Sequence, residues 1–122
     1  MAVPGFENFP LAPVDHEWKG AEADKRVRGW AGAELGPNIK YRDAHLWYDE
    51  DKPEHFTSYK LLICDVVDDR LWAVPRGIMA AANVVMGGRG RVDIPTGDLE
   101  RVKDHLASYY KKMDQTPPWE DD

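Results

Sequence analysis

YKLLICDVVDDRLWAVPRGIMAAANVVMGGRGRVDIPTGDLERVKDHLASYYKKM, residues Tyr59 to Met113, is the stretch that decides the fold. It contains one complete folding unit. Lys60 to Val67 is a β-rich run, Asp68-Asp69 a polar turn and Arg70 to Val74 a return strand, which together predict a hairpin. Leu61, Ile63 and Asp65 would share one face, and Leu62, Cys64 and Val66 the other. Apolar residues on both faces predict burial on both sides, or an edge covered by a helix. Asp-Asp is a poor two-residue turn, because type I′ geometry needs positive φ at both central positions, so a longer turn is expected.

Pro75-Arg76-Gly77 then opens a helix in which Ile78 to Met86 is apolar apart from Asn83, the pattern of a helix buried on all sides. Gly87 and Gly88 supply its stop, and GGRGR (Gly87 to Arg91) leads to an extended VDIP. The last helix is the cleanest signal. Leu99, Val102, Leu106, Tyr109 and Met113 recur at spacings of three and four and form one apolar stripe. Thr96 or Asp98 would cap it, and Lys111-Lys112 suit its C-terminal dipole end.

Upstream, Ala23, Val27, Trp30 and Ala31 fall on one face of a helix from Ala21 to Ala31, stopped by Gly32. Its early acids and late bases match the helix dipole. Lys25, Arg26 and Arg28 read as a solvated face or, less simply, as a phosphate-binding patch. Between Asn38 and Thr57 the sequence predicts a short helix or turn around Arg42 to Tyr48, followed by a loop.

Residues 1–17 carry Pro4, Pro10 and Pro13 and should form an extended arm. Phe6, Phe9 and Leu11 give that arm side chains to dock on the domain or on a neighbouring subunit. Residues 18–113 form the globular domain, and 114–122 an acidic tail in which Trp119, beside Pro117-Pro118, would plug another protein's pocket. The expected architecture is therefore α+β: two or three helices on a small antiparallel hairpin or sheet, with irregular arms at both ends.

With 122 residues, 43% hydrophobic and 31% charged, the chain is the size of a single domain that needs no disulfide or metal. Net charge is -6, and four negative charges (Asp114, Glu120, Asp121, Asp122) sit in the tail, leaving a body near -2. That balance argues against duplex DNA as a partner. The longest apolar run, Ile78 to Met86, is too short to cross a bilayer. The N-terminus lacks the basic and apolar regions of a secretory signal. The lone Cys64 fits a reducing interior.

No catalytic residue, cofactor or metal is predicted. Cys64 lies in an apolar run, the pattern of a buried structural thiol. Ser58 and Ser108 lie outside any nucleophile elbow, and His16, His45, His55 and His105 are scattered without metal-ligand spacing. The glycines of GGRGR could aim backbone N–H groups at an anion, with Arg89 and Arg91 adding charge; the plainer reading is a helix stop with surface arginines.

Five blocks resemble, as an ordered set, a small domain of tailed-bacteriophage and prophage proteins. They are Trp18 to Ala31, Tyr59 to Asp68, Ala73 to Ile78, Gly87 to Pro95 and Val102 to Met113. The domain occurs alone or fused to prohead-protease-like and other head-morphogenesis proteins. Leu62 departs from the family's proline and Asp69 from its turn glycine. The resemblance implies a setting, phage head assembly, and no catalytic residues. On that basis the expected function is a non-enzymatic structural or assembly protein that binds a capsid or other head protein, decorates the shell or self-associates. It would be located in the virion or in the host cytoplasm during assembly, and not secreted. Phe6, Phe9, Leu11 and Trp119 would make the contacts. The alternative is a nucleic-acid or host-protein binder using Arg26, Arg28, Arg76, Arg89 and Arg91.

Overall fold

A computed structural model describes residues 2–87 and 94–120. Arg89, Arg91 and most of the GGRGR and VDIP segments lie outside the described residues. The fold is α+β. In chain order the elements are α1 (Gly20–Ala31), α2 (Ile39–Asp43), β1 (His45–Tyr48), a single 3-10 turn (Phe56–Ser58), β2 (Tyr59–Leu62), β3 (Cys64–Val67), β4 (Arg70–Ala73), α3 (Pro75–Val85) and α4 (Thr96–Lys112). The strands form two antiparallel pairs, β1 with β2 and β3 with β4.

α1 and α4 follow their apolar periodicity. Ala23, Val27 and Ala31 are the buried face of α1, which packs on β3, and Gly32 ends the helix at φ +67°, where a side chain would be strained. In α4, Val102, Leu106 and Tyr109 are fully buried against α3 and β1. Burial of each such aliphatic side chain stabilises by roughly 1.5–3 kcal/mol. The residue preceding α4 is Pro95, with no side-chain cap, so neither Thr96 nor Asp98 caps it. Asp98 instead accepts a 3.0 Å hydrogen bond from the Trp47 indole, tying α4 to β1.

The structure corrects the predicted hairpin at two points. Lys60 to Val67 is two strands in two different sheets. Leu61 has φ +62°, a left-handed conformation that costs a branched residue roughly 1–2 kcal/mol. The chain therefore turns at Ile63, whose N–H donates to Ala44 and whose carbonyl accepts from Val74. Simple alternation fails in consequence: Ile63, Cys64 and Asp65 are all buried. The Asp68-Asp69 turn is also as short as two residues, with φ +53° and +60°. Two indoles hold it: Trp30 donates to the Asp69 carbonyl and Trp72 to the Val67 carbonyl, both at 3.1 Å.

Two further expectations change. The helix or turn expected over Arg42 to Tyr48 divides, with α2 ending at Asp43 and His45–Tyr48 forming β1 against β2. α3 is not buried on all sides: Ile78, Ala81 and Ala82 face the core, whereas Met79 and Ala80 are exposed.

Both arms lie on the body. The Ala2 carbonyl accepts from Tyr48 N–H at the outer edge of β1. The Phe6 ring packs on His105 and Tyr109 at centroid distances of 5.5 and 4.9 Å. The Tyr109 hydroxyl donates to the Glu7 carbonyl and accepts from Phe9 N–H, and Lys112 reaches Asn8 and the Phe9 carbonyl. Leu11 then bridges Ala73 in parallel, covering the outer edge of β4. At the other end, Trp119 is half-buried, edge-on to Tyr110, with the Lys103 ammonium over its ring.

Candidate functional site

α1, β2 and α3 enclose an open groove of about 480 Å³, with α2, β1 and the Phe56 turn contributing to its floor. Its long walls are apolar apart from Lys60. Gly77, Ala80, Ala81 and Val84 recur at helical spacings of three, four and seven, so one stripe of α3 carries only small side chains. All four residues of β2 line the opposite wall. At one end the Trp18 indole lies flat on Gly77, so close that a β-carbon there would sit 3.0 Å from the ring. A side chain at that crossing would force the indole to shift.

The floor holds the charges. Asp24 and Arg28 stand one turn apart on α1 and pair at 2.9 Å. The Tyr41 hydroxyl donates to the other Asp24 oxygen at 2.6 Å. Burial and this hydrogen bond push the Tyr41 pKa upward, so the phenol stays a neutral donor. The Arg28 guanidinium lies 3.8 Å above the Phe56 ring, a cation–π contact, and its Nε is buried without a hydrogen-bond partner.

His45 completes the floor. Its Nδ1 is 2.8 Å from the Tyr41 carbonyl, and a carbonyl can only accept, so Nδ1 carries the proton. Burial pushes the His45 pKa down to about 4, against the opposing pull of that hydrogen bond and of Asp24, so the ring is neutral at pH 7. The phenol and the guanidinium thus hold the Asp24 carboxylate between them, and Lys60 adds a positive charge on the β2 wall. Cys64 is buried outside the groove and its thiol pKa is raised by desolvation.

A second polar cluster fixes α1 to β3. Asp65 is 3% exposed; it accepts from Arg26 Nε and Nη2 at 2.7 and 3.0 Å, from the Val66 N–H at 2.7 Å, and faces His16 Nε2 at 2.9 Å. Burial works against its charge, but the hydrogen bonds from Arg26 and His16 prevail and hold the carboxyl below its ordinary value.

The residues picked from sequence are therefore dispersed. Arg26 is committed to Asp65 and Arg28 to Asp24, while Arg76 is exposed at the start of α3. Phe6, Phe9, Leu11 and Trp119 pack against their own domain, Phe6 remaining 42% exposed. Sequence reasoning missed the groove residues Trp18, Asp24, Tyr41 and His45. Two signals pointed to it: the Asp24–Arg28 pairing four residues apart, and the small-residue stripe of α3. Among the described residues no three of His, Cys, Asp or Glu converge as a metal site, and no helix is long and apolar enough to cross a membrane. The chain matches no protein-family model, no curated protein and no solved structure.

Proposed function

We propose that this chain is a non-enzymatic assembly module that binds a capsid or other head protein during tailed-phage particle formation, decoration of the shell being one form of that role. The observation that carries the binding reading is the open, largely apolar groove between α1, β2 and α3, with Ala80 exposed on its α3 wall. The polar groups on its floor favour binding over chemistry, because Asp24, Arg28 and Tyr41 hold one another in place. The phage setting is supported by the five sequence blocks alone, and with it a location in the particle or in the host cytoplasm during assembly.

This reading moves the contact surface from the arms to the groove, since Phe9, Leu11 and Trp119 already pack on their own domain. It also disfavours a nucleic-acid binder, whose affinity would need clustered free cations. Arg26 and Arg28 each face a carboxylate. Quantitative mass spectrometry of purified proheads and virions tests the proposal. A copy number in fixed ratio to the capsid protein, in either particle, is expected. Absence from both particles, together with no complex formed with any purified head protein, would refute it.

A further inference from the structure

We infer that the protein pairs with a second copy of itself through the face built from the β3–β4 turn and the loop between α1 and α2, a contact separate from the groove. Trp30 stands at the centre of this face. Its indole N–H donates to the Asp69 carbonyl at 3.1 Å, and the Lys40 ammonium lies 5.3 Å from its ring centroid, so the indole joins the turn to α2. Apolar side chains stand in the open on both flanks. Leu35 is fully exposed and Ile39 is 65% exposed beside Lys40, while Val67 is exposed at the turn. Trp72 is half-buried, with its N–H on the Val67 carbonyl and the Arg70 guanidinium 5.2 Å from its ring. Tryptophan and arginine are the residue types that most often anchor protein interfaces.

The charges indicate which partner fits. Glu34 and Lys40 belong to the loop side of Trp30, and Asp68, Asp69 and Arg70 to the turn side. Among the described residues none of these five is in an ion pair. One flank thus sets a cation beside exposed apolar side chains, and the other sets two carboxylates beside an exposed valine. A two-fold contact lays one patch on its own copy after half a turn. With the axis near Trp30, Lys40 of each copy meets Asp68 and Asp69 of the other, Leu35 and Ile39 meet Val67, and Glu34 lies towards Arg70. Any other partner would have to supply this pattern in reverse, whereas a second copy carries it already. The turn gives a further indication. Asp68 and Asp69 both have positive φ, where Asn-Gly would be less strained, so the two acids stand there at the expense of the fold.

Sedimentation equilibrium of the whole protein, run up to about 0.3 mM so that weak dimers are reached, tests this. The mass should rise with concentration from 13.9 kDa towards twice that value. Lys40→Glu sets like charges against each other and should weaken dimerisation at least about tenfold. Leu35→Asp, at a fully exposed site, should weaken it similarly with an unchanged thermal melt. Asp68→Asn/Asp69→Gly removes both acids and relaxes the turn, so it should melt higher yet dimerise about tenfold more weakly, which no loss of folding could produce. Mixing Lys40→Glu with Asp68→Lys should give heterodimers where each variant alone dimerises poorly. A monomer at every concentration, or a dimer that Lys40→Glu and Asp68→Asn/Asp69→Gly both leave intact, overturns the inference. A monomer whose Lys40→Glu variant fails to enter particles also overturns it, because a head protein then covers the face. Ala80→Arg in the groove should leave the dimer unchanged, so this inference and the assembly reading can fail separately.

Discussion

Replacing Arg26 by alanine should cost more stability than replacing its partner Asp65, although both changes delete the same ion pair. The asymmetry comes from burial: the Asp65 side chain is 3% exposed and that of Arg26 49%. Arg26→Ala leaves a carboxylate in the interior with only His16 and the Val66 N–H to satisfy it. Stranding a buried charge costs about 3–5 kcal/mol, and the retained partners place this case near 3. Asp65→Ala removes the buried charge, and the half-exposed guanidinium hydrates, so the loss should be about 1–2 kcal/mol.

For a chain of this size, a difference of about 1.5 kcal/mol separates two urea midpoints by roughly 1 M, readily followed by tryptophan fluorescence. The pH dependence has a definite sign. The folded Asp65 carboxyl lies below its ordinary value of 3.8, because the Arg26 and His16 bonds prevail over burial. Its contribution is therefore present above that value and lost as pH falls through the folded pKa. The Arg26→Ala deficit should accordingly shrink towards acid, where the carboxyl is protonated in both states. Equal or greater damage from Asp65→Ala at pH 7 would refute the reasoning.

Other outcomes follow from named contacts. His45 is neutral and buried, with its pKa near 4, so stability should fall as pH drops from about 6.5 to about 4, by an upper limit of about 3 kcal/mol. His45→Asn, whose amide can donate to the Tyr41 carbonyl in place of Nδ1, should flatten the urea-midpoint profile; an unchanged slope contradicts this, and the residual slope comes from His105, lowered likewise by burial, joined by Asp65 below about pH 5. Gly77→Ala should destabilise by about 1–3 kcal/mol, since its methyl carbon meets the Trp18 ring. Gly29→Ala on α1, with open space around it, should stabilise by about 0.5–1 kcal/mol; melts of the pair that move the same way would contradict the packing described. Tyr109→Phe removes the hydroxyl that clamps Glu7 and Phe9 and should cost about 1 kcal/mol while speeding chymotryptic cleavage after Phe6; unchanged cleavage would contradict an arm held by that clamp.

α1 and α4 were legible in the sequence because each carries an unbroken stripe at helical spacing. The β3–β4 hairpin was legible in outline, but its turn was misjudged, since propensity argues against positive φ at two aspartates. What permits it is tertiary: the Trp30 and Trp72 indoles hold the Asp69 and Val67 carbonyls. Likewise the β2–β3 break rests on one left-handed residue, Leu61, and on hydrogen bonds to Ala44 and Val74, which no local pattern announces. β1 was hidden because His45 to Tyr48 is short and follows a helix directly. The groove assembles residues from six elements, so its parts appeared as unrelated facts: a solvated helix face, a scattered histidine, a run of alanines. Seen along the chain, α3 looked buried all round. Seen in the fold, its small residues line one wall of the groove.

Amide hydrogen exchange resolved to residues 59–62, compared between the free protein and the protein assembled in proheads, tests the central claim most directly. The account predicts that exchange in β2 slows on assembly, with Ala80→Arg losing that protection. Unchanged exchange in β2 would contradict it.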